Sequence, residues 1–334
     1  MKFKLFFLLM CIMGNIFIYT QNNKIDISGK ITGMYVFKTR TYLLNYKNVE
    51  IWMLNKDFNI VKSIKFKGEG PQELKSITNV QFTNNSIYFF SSNKFVEYTL
   101  DLKFQHQDKS TCPFILLSKN KKVHIKTIMD NGSKKHSVFL SSNKKKKNLT
   151  IIKEPSIPKN YFASATSQFI RLKSINKYKM FAVLNPVANT EILCFLNSGK
   201  LINKIRLKDE QHPVTDEYKK KFFKSIFKDP RFKDKNFRNM MKSKIYFPKF
   251  FPKIQDFYCT QDYIYIKTYK NKSGSSLFYR YKLNNNKLVH IWLVDKNIDL
   301  SNQSNFTAFS GNYYYYFYTD EKGDYYIYKK RITT

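Results

Sequence analysis

Carboxylates are in short supply in this chain: 24 Asp and Glu stand against 59 Lys and Arg over 334 residues, a formal net charge of +35. Little is left from which to build a multi-acid site. The five histidines (His106, His124, His136, His212, His290) form no close pair along the sequence. Cysteine numbers four, with no Cys-x-x-Cys and no Cys and His at metal-site spacing, which excludes the zinc motifs read from such spacing. Only one apolar run is long enough to consider as a membrane span, which excludes a polytopic membrane protein. Glycine and proline number 10 and 9, so most turns fall to asparagine.

Aromatic residues, in contrast, make up 17% of the chain and hydrophobic residues 43%. That content excludes a wholly disordered chain, which could not bury enough surface to offset chain entropy. The length permits one large domain or two small ones. The charge suggests an anionic partner without fixing a fold. The basic excess is nearly all lysine, with abundant asparagine beside it, so drift in an AT-rich genome accounts for it as well as selection for binding does.

Met1-Lys2-Phe3-Lys4 is a short basic start, Leu5 to Tyr19 is apolar apart from Gly14 and Asn15, and Thr20-Gln21-Asn22-Asn23 is abruptly polar. This is the layout of a secretory signal over residues 1–20, with an apolar stretch too short for a stable span. Cleavage near Thr20 or Gln21 is expected, with a retained anchor as the other reading. Cys11 belongs to the signal, because the apolar stretch continues past it. A mature chain of about 314 residues and about +33 charge remains, with no further span. Cys112, Cys194 and Cys259 are then odd in number, and each reads as a small buried hydrophobe.

Beyond residue 20 the apolar pattern is that of strands. Ile51-Trp52-Met53-Leu54, Ser86-Ile87-Tyr88-Phe89-Phe90 and Tyr313 to Tyr318 are β-branched or aromatic runs separated by polar turns such as Asn84-Asn85 and Asn197-Ser198-Gly199. Strand–turn–strand units centre on Asp57, Asp101, Lys145, Ser198 and Asn285, at separations of 44, 44, 53 and 87 residues. Leu54-Asn55-Lys56-Asp57-Phe58-Asn59-Ile60-Val61 resembles the units beginning at Leu196 and Leu283. A period near 44 with all-β content predicts a β-propeller with one four-stranded sheet per blade. Six blades fit residues 21–334 once an insert of about 43 residues, near 208–250, is set aside. The last blade shows three strands (Asn305–Phe309, Asn312–Thr319, Asp324–Arg331). Lys24 to Ser28 is expected to supply the fourth and close the ring, removing an exposed edge. A β-sandwich array or two all-β domains is the competing reading.

The insert differs in kind. Thr215-Asp216-Glu217 is a helix start, and Tyr218, Phe222, Phe223, Ile226 and Phe227 follow at helical spacing. Pro230 ends that helix, and a second one is expected to hold Phe237, Met240 and Met241. Residues 218–249 carry 12 Lys and Arg against 2 Asp. Lys219, Lys220, Lys221, Lys224, Arg231 and Arg238 are the candidate anion-binding residues. The competing reading is a solvated helical face whose aromatics pack on the propeller.

Two motifs carry a resemblance. Gly68-Glu69-Gly70-Pro71-Gln72-Glu73 and Phe247-Pro248-Lys249-Phe250-Phe251-Pro252 resemble segments of the secreted six-bladed propellers of the Bacteroidetes type, related to NHL-repeat and TolB-like propellers. Members of that family usually carry Gly-x-Gly-Pro-Gly-Glu in the first segment and a Tyr-Pro-x-x-Pro segment after a helical excursion. The resemblance covers the mature chain in blade order and implies a structural role for Gly68, Gly70, Pro71, Glu73, Pro248 and Pro252. Gln72 departs from the family glycine, and Ser91-Ser92 from a frequent aspartate. Read from the residues alone, the two glycines permit an unusual backbone path, Pro71 stiffens it, and Glu73 is placed to accept loop amides. No helix with Lys-Ser/Thr follows, as a phosphate-cradling loop requires.

The expected function is that of an exported, monomeric binding or scaffold propeller without a cofactor. Its partner is an anionic glycan, an envelope component or a protein. The alternative is a metal-dependent lyase or hydrolase with its site in the propeller channel. Lys119 to Lys122 and Lys144 to Lys147 are basic runs at predicted turns without a recognition motif, so no specific nucleic acid is expected.

Overall fold

The computed structural model describes residues 20–332 apart from 110–113, 119–120, 131–132, 143–144, 154–157, 159, 162, 165–170, 176–178, 186–190, 228–231, 273–274, 285–286, 295–305 and 321. Residues 1–19, which hold nearly all of the expected signal, and Cys112, Pro230 and Arg231 lie outside the described residues.

The strands assemble as six four-stranded antiparallel blades, a six-bladed β-propeller. After β1 (Thr20–Ile25), the first blade runs from its inner to its outer strand as β2 (Gly33–Phe37), β3 (Arg40–Asn45), β4 (Glu50–Leu54) and β5 (Ile60–Lys65). The second is β6 (Asn79–Phe82), β7 (Ser86–Phe90), β8 (Lys94–Thr99) and β9 (Phe104–Lys109). The third is β10 (Phe114–Ser118), β11 (Lys121–Asp130), β12 (Ser133–Ser142) and β13 (Lys145–Lys153). A short β14 (Ala163–Ser164) precedes the fourth blade: β15 (Leu172–Ile175), β16 (Met180–Asn185), β17 (Glu191–Leu196) and β18 (Leu201–Arg206). Two helices, α1 (Asp216–Ile226) and α2 (Lys235–Lys244), then interrupt the ring, followed by β19 (Ile245–Tyr246). The fifth blade is β20 (Asp256–Cys259), β21 (Tyr263–Lys272), β22 (Ser275–Lys282) and β23 (Lys287–Val294). The sixth is β24 (Phe306–Ser310), β25 (Tyr313–Thr319) and β26 (Tyr325–Arg331), completed by β1.

The repeating sequence unit is the hairpin between the third and fourth strands of a blade. In the first blade the Phe58 N–H donates to the Asn55 carbonyl (3.1 Å), and the Asn55 side chain accepts from the N–H groups of Asp57 and Asn59, each at 3.0 Å. Thr99 does the same for Asp101 and Lys103, and Asp320 repeats the pattern for Lys322 and Asp324 in the β25–β26 hairpin, between the second and third strands of the sixth blade. The residue that follows the turn is left-handed: Phe58, Leu102, Gly199 and Gly323 have φ of 65°, 56°, 81° and 90°. The left-handed conformation costs Phe58 and Leu102 about 1–2 kcal/mol each. Both side chains are buried, which contributes about 1.5–3 kcal/mol and outweighs the strain.

An apolar cluster fills each of the six seams between blades. The seam between the first and second blades holds Tyr42, Ile51, Phe89 and Val96; that between the fourth and fifth holds Ala182, Ile192, Ile266 and Tyr279. The third–fourth, fifth–sixth and sixth–first seams are built in the same way. Among the described residues the second–third seam is the smallest, with Phe90, Phe95, Phe114 and Leu116 buried. There the buried Gln81 side chain spans the seam: its amide donates to the Leu116 carbonyl (2.6 Å) and its oxygen accepts the Leu116 N–H (2.8 Å). Buried polar atoms that are fully paired hold one inner strand against the next at little desolvation cost.

Closure of the ring differs in position from the sequence expectation. The closing strand is Thr20–Ile25, paired antiparallel with β26 from Thr20↔Lys330 to Ile25↔Tyr325, and not Lys24–Ser28. An outer strand needs backbone pairing more than apolar side chains, so polar Thr20 to Asn23 serve. The chain leaves the strand after Ile25 because it must turn at Gly29 (φ 141°) to deliver Ile31 into the sixth–first seam.

Candidate functional site

The helical pair lies between the fourth and fifth blades in the chain. Thr215 caps α1 by accepting the Tyr218 N–H (3.2 Å), and Asp216 and Glu217 supply the negative charge that a helix start favours. Asp234 caps α2 through the Phe237 N–H (2.6 Å). Neither helix has a fully buried residue. Aromatic rings tether the pair to the ring of blades. Tyr218 meets Phe251 edge-on (4.7 Å), and Phe251 stacks on Tyr269 of β21 (4.3 Å, 16°). Phe222 and Phe223 close on Phe247 at 5.3 and 5.5 Å. Burial of Tyr218 pushes its phenol pKa upward. Backbone pairing secures the same junction: Val214 donates to the Lys249 carbonyl (3.0 Å), Phe251 donates to the His212 carbonyl (2.8 Å), and β14 pairs in parallel with β19. Pro248 and Pro252 bracket this paired segment.

Along α1 and across to α2 lies an open groove of about 550 Å³, lined by Asp216, Lys219, Lys220, Phe223, Lys224, Phe227 and Lys242. Phe223 and Phe227, one turn apart, stack at 5.5 Å and form its apolar floor. The Lys242 ammonium lies 5.8 Å from the Phe227 ring centre and the Arg238 guanidinium 5.4 Å from it.

The six basic residues singled out in the sequence do not share one role. Lys219, Lys220 and Lys224 line the groove. Lys219 is paired with Asp216 at 2.8 Å and Lys221 with Glu217 at 2.7 Å, and Lys221 is not among the groove residues. Arg238 donates to the carbonyls of Phe227 and Phe232, which ties α2 to the end of α1. Arg231 lies outside the described residues. Lys242, Phe223 and Phe227 complete the groove. Helical spacing marks the two phenylalanines, but no sequence signal places Lys242 opposite Lys220 and Lys224.

The Gly68–Glu73 loop lies between the first and second blades, and no contact among the described residues joins it to the groove. The Gly70 N–H donates to Glu73 Oε2 (2.9 Å), and the Glu73 N–H to the Gly70 carbonyl (3.1 Å). The glycines are required by closeness and not by an unusual φ, since neither is left-handed. A Cβ at Gly68 would lie 2.0 Å from Glu73 Oε2, and one at Gly70 3.0 Å from it. Lys94 adds a donor to the Gly70 carbonyl (2.8 Å).

A second cluster of titratable groups sits where the insert leaves the fourth blade. Asp209 pairs with Lys270 at 2.9 Å, beside His212 and with Tyr279 and His290 close by. Burial opposes ionisation of Asp209, but the nearby Tyr279 hydroxyl, the Lys270 hydrogen bond and the Lys270 charge hold its pKa below the usual range. Burial, with Lys270 nearby, lowers the His212 pKa. The space between these groups is about 10 Å³, too little for a substrate, so the cluster joins insert to blade. Nearer the propeller axis, Arg171 pairs with Asp256 at the start of β20. Among the described residues no three His, Cys, Asp or Glu side chains converge as a metal site, and no helix is long and apolar enough to cross a membrane.

Comparison with known proteins places the fold. No family model matches the chain, and no curated protein matches it in sequence. Among solved structures, an exported protein of Bacteroides fragilis superposes with a TM-score of 0.51 at 11% identity, over 95% of this chain and 96% of that one. A DUF4221 family member from Bacteroides vulgatus gives 0.48 at 8% identity, over 93% and 97%. The β-propeller domain of the trilobed protease of Pyrococcus furiosus gives 0.42 at 8%, over 91% and 82%. At such identities the likeness is one of fold.

Proposed function

We propose that this chain is an exported binding propeller, of the NHL/TolB-like type, that recognises an anionic glycan, envelope component or protein partner through the groove of its helical insert. The observation that carries the reading is the placement of Lys219, Lys220, Lys224 and Lys242 around the Phe223–Phe227 floor. Cations gathered round a low-dielectric floor attract an anion more strongly than the same charges spread over blade surfaces. Residues 1–20 act as the signal and residues 21–334 as a monomeric domain in this reading. Fold likeness to an exported Bacteroides protein supports export. No observation among the described residues favours the channel lyase or hydrolase.

The test is titration of a fluorescent anionic polymer, a sulfated dextran, across a salt series. Substituting Lys220, Lys224 and Lys242 by Gln is expected to weaken binding about tenfold or more and to flatten its salt dependence. A charge-matched control, Lys145, Lys146 and Lys147 to Gln on β13, is expected to leave most of the affinity. Equal effects of the two sets would reduce the attraction to bulk charge and overturn the proposal.

A further inference from the structure

We infer that the ligand of this groove is a segment of an acidic polysaccharide, bearing both anionic groups and free hydroxyls, and not a bare polyanion or a nucleic acid. The inference rests on the anion-binding reading above and narrows it by three features of the groove.

First, its wall is not uniformly cationic. Asp216 stands among the lysines, 84% exposed, with its Oδ1 on Lys219. A carboxylate only accepts hydrogen bonds. A polyphosphate, which has no donors at neutral pH, meets repulsion there. A sugar hydroxyl donates to it. Second, the rings of the floor are already engaged by their neighbours. Phe227 already has Phe223 stacked on it and the cations of Arg238 and Lys242 over its ring. Phe223 is met edge-on by Phe222 and Phe247. A nucleobase needs a free ring face on which to stack; the C–H surface of a sugar needs only apolar contact. Third, Lys220 and Lys224 lie one helical turn apart, about 5–6 Å between Cβ atoms, so both face the same stretch of a bound chain. Lys242 stands across from them on α2. The groove, at about 550 Å³, is of the size of ligand sites and is open to a continuing chain.

The experiment compares three soluble probes on the full mature chain at fixed salt: a heparin-derived octasaccharide, a polyphosphate of matched charge and an oligothymidylate. The octasaccharide is expected to bind most tightly. Asp216→Ala frees Lys219 for every anion equally, so the ratio of octasaccharide to polyphosphate affinity isolates the hydroxyl contact. That ratio is expected to fall about tenfold. Phe223→Ala, which removes the apolar contact, is expected to weaken the octasaccharide about three- to tenfold and to leave polyphosphate unchanged. Circular dichroism confirms that both variants are folded. An unchanged ratio in Asp216→Ala, or tighter binding of polyphosphate or oligothymidylate by the wild type, overturns the polysaccharide assignment while leaving anion binding intact. Loss of no affinity for any probe on removing Lys220, Lys224 and Lys242 overturns the anion-binding reading itself.

Discussion

The blades and the helical insert are held together by different means. Each blade places its two middle strands in the interior and shares an apolar seam with each neighbour, so residues such as Phe278 and Phe317 are fully buried. The helices bury no residue completely and rest on a few ring contacts, chiefly Phe251 on Tyr269 and Phe247 on Phe222 and Phe223. Charge follows the same division. Some lysines of the ring serve as props, as when Lys62 donates to the Asp101 and Leu102 carbonyls. In the insert they gather around a groove. A segment that contributes little to the core is free to gather its cations around an open groove.

The largest effect that sharpens this contrast lies in the ring. Phe278→Ala, at a site with no exposure, is expected to cost about 3–5 kcal/mol in urea melts, whereas the triple Lys→Gln variant of the groove is expected to stay within about 0.5 kcal/mol of wild type. Comparable losses would show that the insert belongs to the folding core and break the comparison. Next comes the strained hairpin. Leu102→Ala is expected to cost about 2–5 kcal/mol, and Leu102→Gly about 1 kcal/mol less, because glycine relieves the left-handed backbone while the lost burial is similar. That order, measured by thermal or chemical melts, reverses the preference seen in helices.

A smaller effect belongs to the Gly68 loop. Gly68→Ala is expected to cost about 1–3 kcal/mol by driving Glu73 off the Gly70 amide, and pairing it with Glu73→Ala is expected to cost less than the two single losses together. Full additivity would show that the glycine is not there to admit the carboxylate. The smallest effect is pH-dependent. Burial lowers the folded pKa of His212 and His124 below the ordinary 6.5. The unfolded chain therefore takes up these protons first, and stability declines as pH falls from 6.5 toward the folded values. Replacing both by Gln is expected to flatten the melting temperature over that range.

Much of this contrast was legible in the chain itself. The Asn55 hairpin repeats because a side-chain acceptor and a left-handed residue are local requirements, met within five residues. The helix start at Thr215 and the spacing of Phe223 and Phe227 are local in the same sense. The closing strand was legible in its role and not in its position, because backbone pairing with β26 tolerates the polar residues of Thr20 to Asn23. The role of the loop glycines was misplaced for a similar reason: Gly68 makes room for a side chain five residues on, and a missing Cβ looks the same whether it serves conformation or closeness.

By itself, the sequence determined the repeat of about 44 residues, the all-β character, the break at the insert and the concentration of lysine within it. These follow from periodicity and composition, which act over a few residues or are summed along the chain. Only the tertiary structure decided which charges act together. It set Lys242 across from Lys220 and Lys224, drew Arg238 away onto the Phe227 and Phe232 carbonyls, and joined Asp209 to Lys270, 61 residues apart, at the foot of the insert. Pairings of that kind depend on how helices and blades pack, and a one-dimensional pattern carries no record of the angle at which they meet.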